Sequence, residues 1–158
     1  MNWLDYARTY ITKNEGRENK VYIDTAGKMT GGIGHNFTDV KLSDTVIELL
    51  FQEDMKAAKK ECWKYNWFEL LDEYRKIVVI DMMFNLGSKK FASFKNMVRA
   101  LSIQEYDYAA VELKDSKYFK QVKNRGWKNY YMMKFGEYWC QHYTEFEKER
   151  NEDIGRWQ

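Results

Sequence analysis

The chain has 158 residues, the size of one domain or of one domain with two small lobes, and it can bury a core without disulfides. A composition of 44% hydrophobic and 17% aromatic residues excludes global disorder. A net charge of +2 is too small to indicate a nucleic-acid partner by itself, and there is no apolar run of about eighteen residues to span a membrane.

Trp3, Leu4, Ala7, Tyr10 and Ile11 recur at helical spacing behind Asn2, a suitable N-cap. An amphipathic first helix therefore delivers Glu15 just past its end. The same stretch carries Asp5 and no apolar h-region, so no secretory signal is expected. Residues 18–38 read as a small sheet. Val21-Tyr22-Ile23 is a strand, Asp24-Thr25-Ala26-Gly27 a turn, and Met29-Thr30 with Ile33 a second strand. Gly16, Gly27, Gly31, Gly32 and Gly34 are five of the nine glycines, and they suit tight turns and close backbone approach. Ser43 caps a second helix whose expected buried stripe is Ile47, Leu50, Phe51, Met55, Ala58 and Cys62. Asp54 falls on that stripe, where a buried acid needs a partner.

After a junction from Trp63 to Trp67, the run Leu70, Leu71, Tyr74, Ile77, Val78, Ile80 and Met82–Phe84 predicts a central buried helix that Gly87 stops. Ser93 is expected to cap a short helix, Phe94–Leu101. Gln104–Leu113 forms another, with Ala109, Ala110 and Leu113 inward. A further helix covers about Lys123–Phe135 and stops at Gly136. In the tail, Trp139, Tyr143, Phe146 and Arg150 stand at helical spacing, and the three aromatics are expected to form a face docked on the helices, the alternative being a wall-contacting surface. Cys62 and Cys140 are only two and far apart. They are read as free, buried thiols, and no metal-ligand spacing is present.

The chemistry concentrates in Glu15, Asp24 and Thr30. A hairpin folds Asp24 toward Thr30, and Glu15 can face them from the helix end. Two opposed carboxyl groups across a groove are what glycoside hydrolysis requires. Taken alone, two acids and a threonine in a glycine-rich hairpin are more often ordinary surface groups.

The stretch resembles the T-even phage lysozymes, glycoside hydrolase family 24, whose motif is Glu, eight residues, Asp or Cys, five residues, Thr. It matches at Glu15, Asp24 and Thr30. The flanks Glu15-Gly16, Tyr22-Ile23-Asp24-Thr25-Ala26-Gly27 and Gly32-Ile33-Gly34-His35 also match, and Phe84-Asn85-Leu86-Gly87, Ser93–Met97, Asn124-Arg125 and Gly136 follow in register over about residues 1–138. The resemblance implies a lysozyme-like α+β fold, predominantly α. A β lobe (14–42) and a helical lobe (1–13 and 65–158) would be joined by a long helix (43–64) within one domain.

The resemblance further implies an inverting peptidoglycan hydrolase, an endolysin that cuts between N-acetylmuramic acid and N-acetylglucosamine. Glu15 would be the general acid, aided by partial burial. Asp24 and Thr30 would hold the attacking water. Asn36, Phe84, Asn85, Met97 and Arg125 would bind substrate, Arg125 also pairing with Glu15, and His35 with Asp54 would form a structural ion pair. No cofactor, metal, nucleic acid or stable membrane anchor is implied. The protein would be a monomer held in the host cytoplasm until released to the wall.

Two departures stand out: the connection from His35 to Ser43 is short, and the tail beyond Tyr138 is long. Two alternatives remain open at this level. One is a non-catalytic glycan-binding or structural phage protein on the same fold. The other is a small nucleic-acid binder using the basic run Lys114, Lys117, Lys120, Lys123, Arg125, Lys128 and Lys134, with Tyr118, Phe119 and Trp127 interleaved. That run can also attract an anionic wall or form an ordinary solvated face.

Overall fold

A computed structural model of the chain describes residues 3–142, 144–148 and 151. Asn2, Tyr143, Arg150 and the side chains of Trp3 and Cys140 lie outside the described residues. The order is α1 (Trp3–Glu15), β1 (Glu18–Ile23), β2 (Met29–Gly32), β3 (His35–Asn36), α2 (Asp44–Cys62), α3 (Glu73–Ala92), α4 (Lys95–Ser102), α5 (Tyr106–Lys114), α6 (Lys117–Val122), α7 (Asn124–Phe135) and α8 (Glu137–Gln141). This is the expected α+β fold, mostly helical with one three-stranded antiparallel sheet. It divides into two compact units, Met1–Leu50 and Phe51–Gln158, the division falling inside α2.

In the first unit, α1 stops at Glu15 because Gly16 turns to φ +76° and returns its N–H to the Thr12 carbonyl at 3.0 Å. The sheet runs β1-β2-β3. Ile23 pairs with Met29 and Tyr22 with Thr30; a register shift then leaves Glu18 opposite Gly32. Across the other edge of β2, Thr30 pairs with Asn36 and Gly31 with His35. Ser43 caps α2 as expected, its Oγ accepting from the Val46 N–H at 3.4 Å.

The apolar faces expected to be buried on α1 and early α2 are open: Leu4 is 59% exposed, Ile11 52% and Leu50 50%. Ile47 and Phe51 are exposed as well, and of the stripe on α2 only Ala58 and Cys62 are buried. Strands of six, four and two residues offer too little surface to enclose such faces within a unit this small.

The second unit holds the core, in which Phe68, Val78, Val79, Met82, Phe91, Met97, Leu101, Leu113 and Met133 are among the largest fully buried side chains. Cys62 is a free thiol as expected, and burial pushes its pKa up to about 11, so it is inert packing. α3 begins later than the apolar run suggests. Asp72 caps it by accepting from the Arg75 N–H at 3.1 Å, and Leu70 stands 65% exposed in the preceding turn. The helix is not buried all round as expected: Val78, Val79, Met82 and Met83 are buried, while the apolar Ile77 and Phe84 face solvent. Gly87, at φ +73°, breaks it as expected, and one more stretch of helix follows to Ala92.

Ser93 differs from expectation. It closes α3, its Oγ donating to the Lys90 carbonyl at 2.6 Å, while α4 starts at Lys95 with no side-chain cap. Ala109, Ala110 and Leu113 point inward on α5 as expected. The short helix α6 was not legible in the pattern. Ser116 starts it by accepting from the Phe119 N–H at 3.1 Å.

Arg75 ties the start of α3 to the end of α7. Its Nε and Nη2 each donate at 2.8 Å to the Met133 and Lys134 carbonyls, it pairs with Asp72, and its guanidinium lies 3.9 Å over the Tyr106 ring. A cation at the negative end of a helix, satisfying otherwise orphan carbonyls, is favourable on both counts. Gly136 follows at φ +56°, where any Cβ would collide with Arg75 and Asp72.

The tail docks on these helices. Phe146 is buried, stacked 4.5 Å from Phe135 and 5.1 Å from Tyr131, and Trp139 meets Tyr74 edge-on at 6.3 Å. Phe146→Ala is expected to cost about 3 kcal/mol in denaturant unfolding. An unchanged midpoint would mean that the tail does not contribute to the core.

Candidate active site

The hairpin turn places Asp24. Its backbone N–H donates to the Lys28 carbonyl at 2.9 Å, and the Gly27 N–H returns to the Asp24 carbonyl at 3.0 Å. An aspartate at this position can bond its own turn through its side chain, and it does. Oδ1 accepts the Ala26 and Lys28 N–H groups, both at 2.9 Å. Oδ2 accepts the Thr30 hydroxyl at 3.0 Å. Thr30 is 7% exposed on the central strand, and its hydroxyl also lies 3.4 Å from the Lys28 carbonyl. With its hydrogen given to Asp24, the Thr30 oxygen keeps acceptor capacity for a further donor.

These bonds hold the Asp24 carboxyl below its usual range. The Lys28 N–H contributes most. Partial desolvation opposes it, and the Thr30 hydroxyl, the Ala26 N–H and the Lys28 ammonium add to the lowering.

Glu15 ends α1, and its side chain is exposed rather than partly buried. Its carboxylate lies against the Cα of Gly34. A Cβ there would stand 2.6 Å from Glu15 Oε2 and 3.1 Å from Cδ, and Gly34 also sits at φ +66°. The Gly-x-Gly-His turn therefore leaves the space that Glu15 fills, and any side chain at position 34 would displace the acid.

Asn36 is committed to its own loop. Its Oδ1 accepts the Thr38 and Asp39 N–H groups at 2.8 and 3.1 Å, and its Nδ2 donates to Asp39 at 2.9 Å. Lys28 pairs with Asp39 at 3.0 Å, an exposed ion pair of the kind that adds little stability. This small network closes the shortened connection after β3. His35 is exposed and meets Phe37 edge-on at 4.7 Å.

The phage lysozyme family model matches residues 12–129, a stretch holding Glu15, Asp24 and Thr30. The chain belongs to the phage lysozyme family. It is 27% identical to probable T4-type lysozyme 1 of Dictyostelium discoideum, over 71% of this chain and 84% of that relative. It is 25% identical, with the same coverage, to probable T4-type lysozyme 2 of that organism. Membership supports a lysozyme-type peptidoglycan hydrolase.

The remaining predicted site residues belong to the second unit, and they do not form one cluster there. Phe84 is 41% exposed and tilted 5.9 Å from Phe51. It lines a pocket of about 310 Å³ with Asp54, Ala57, Glu61, Gly87 and Ser88. Asn85 is exposed beside it. Met97 is fully buried in the core, under a separate hollow of about 340 Å³ lined by Ser93, Asn96, Glu112, Asp115 and Ser116.

Arg125 is exposed and pairs with Asp81, Nε to Oδ2 at 2.9 Å and Nη2 to Oδ1. Tyr118 and Asn129 converge on the same carboxylate, at 3.0 and 2.7 Å. The basic run is thus not a continuous binding stripe. Tyr118 is buried, Arg125 is neutralised by Asp81, and Lys114 covers the Trp127 ring at 4.6 Å. Asp81 was missed in the sequence, although the signal was present: an acid within the apolar run from Ile77 to Phe84 asks for partners. Among the described residues, no group of three or more His, Cys, Asp or Glu side chains is arranged to hold a metal, and no helix is long and apolar enough to cross a membrane.

Because its folded pKa is lowered, Asp24 contributes stability that is present above the unfolded value of about 3.9 and lost as pH falls through the folded value. NMR titration of the Asp24 carboxyl carbon is expected to give a value below about 3.9, and Thr30→Val is expected to raise it by removing one donor. A titration unchanged in Thr30→Val would break the assigned hydrogen bond.

Proposed function

We propose that this protein is an N-acetylmuramidase of the endolysin kind, cleaving the β-1,4 bond between N-acetylmuramic acid and N-acetylglucosamine with inversion. The observation that carries the reading is the Asp24 carboxylate bonded to the buried Thr30 hydroxyl, in the spacing that also places Glu15 at the end of α1. Glu15 gives its proton to the bridging oxygen as the bond from the anomeric carbon breaks. A water, held by the free lone pairs of Thr30 and Asp24, forms the new bond from the opposite face and releases a proton through Asp24.

The lowered Asp24 pKa makes it a weak proton acceptor at the outset. Its main work is to stabilise positive charge developing at the sugar and to orient the water, which becomes acidic only as it bonds. Phe84 and Asn85, exposed on α3, suit contact with a glycan strand. Met97 shapes the pocket floor from within the core rather than touching sugar directly. Asn36 acts through the loop it closes. In this reading the protein works as a monomer, accumulates in the host cytoplasm and reaches the wall once the membrane is breached.

A turbidity assay on outer-membrane-permeabilised cells tests the proposal. Wild type should clear the suspension, and Glu15→Gln should lose about 10²–10⁴-fold in rate with little change in melting. Near wild-type clearing by Glu15→Gln would remove Glu15 from the mechanism. Wall binding without clearing by the wild type would favour a non-catalytic glycan-binding protein.

A further inference from the structure

The third strand contributes two residues, which pair with Thr30 and Gly31 of β2. Met29 lies one residue beyond that ladder, and residues 36–39 turn back to cover it. The Phe37 N–H donates to the Met29 carbonyl at 2.7 Å, and the Met29 N–H donates to the Thr38 hydroxyl oxygen at 2.8 Å. A side-chain hydroxyl thus stands where a longer third strand would place a backbone carbonyl. Asn36 aims it, its Oδ1 accepting the Thr38 and Asp39 N–H groups at 2.8 and 3.1 Å. Asp39, held by Asn36 Nδ2 at 2.9 Å, reaches the Lys28 ammonium at 3.0 Å.

The residues gripped in this way are the ones that serve Asp24. Met29 stands between Lys28, whose N–H donates to Asp24 Oδ1 at 2.9 Å, and Thr30, whose hydroxyl donates to Oδ2 at 3.0 Å. Asp24 follows β1 and the strap follows β3, so β2 is fixed from both of its edges. The Lys28–Asp39 ion pair is exposed and contributes little. The Thr38 bond matters more, because it keeps a strand N–H within the sheet instead of releasing it to water.

We propose that Thr38 is a positioning residue for the reaction: by holding the Met29 N–H it keeps Lys28 and Thr30 aligned on the Asp24 carboxylate. The inference rests on the muramidase reading for its kinetic arm, while its titration arm does not depend on turnover.

The test follows the Asp24 carboxyl carbon by NMR in the full-length protein and in Thr38→Val. That change removes the hydroxyl and alters no charge, so Lys28 and Asp39 can act differently on Asp24 only by moving. Loosened bonds from the Lys28 N–H and the Thr30 hydroxyl should raise the Asp24 pKa by roughly half a pH unit. With soluble uncross-linked peptidoglycan as substrate, kcat should fall roughly tenfold while KM stays within about twofold, since a misplaced group costs rate rather than binding. Thr38→Ser keeps the hydroxyl and should restore both. An Asp24 titration unchanged in Thr38→Val would overturn the proposal. So would a raised KM at constant kcat, which would make Thr38 a sugar contact. A merely structural Thr38 would lower the melting temperature and move neither the titration nor kcat. If Thr38→Val does not fold, Asn36→Ala frees the Thr38 N–H and should raise the Asp24 pKa in the same direction; no rise would refute positioning. A wild type that clears no cells would contradict the muramidase reading alone and leave the titration to decide the proposal.

Discussion

The Asp24 carboxylate is the constraint on which the first unit turns. It closes the hairpin through two backbone N–H groups of its own loop and ties that loop to the central strand through Thr30. A unit that buries little apolar surface relies on such local polar closure more than a cored domain does. The same three bonds keep the carboxylate ionised and fixed, which is what charge stabilisation at a reacting sugar requires. A change at Asp24 therefore disturbs the hairpin and, in the proposed mechanism, the chemistry as well.

The second unit is organised differently. Its helices pack around a closed apolar core, and two arginines join elements across it. Arg75 is satisfied by two helix-terminal carbonyls, Asp72 and an aromatic face, and little of it remains exposed. Arg125 joins α7 to α3 through its pair with Asp81. The tail extends this unit by stacking Phe146 on Tyr131 and Phe135, so the added length reinforces the helical core.

Much of this was legible in the residues. The periodic apolar runs marked the helices, and Gly87 and Gly136 marked where they stop or break, because positive φ lets the chain turn there. The hairpin and the pairing of Asp24 with Thr30 followed from turn chemistry and spacing. What failed was burial. The stripes on α1 and early α2 look like core, but periodicity states which face is apolar and not what covers it. Ser93 was read as starting a helix when it ends one, since a serine between two helices can cap either. Asp81 was passed over because its partners Tyr118, Arg125 and Asn129 lie 37 to 48 residues away, beyond what local pattern conveys.

The central claim is that Asp24 and Thr30 direct a water rather than bring Asp24 itself to the sugar. An attacking water needs room, so inverting enzymes hold their carboxyl groups about 6.5–9.5 Å apart, against about 5–5.5 Å where one carboxylate attacks. The product's configuration reports which occurred. A defined peptidoglycan fragment, cleaved by the wild-type protein and followed by NMR before mutarotation, should release the α-anomer first. Release of the β-anomer would contradict the account and make Asp24 the nucleophile.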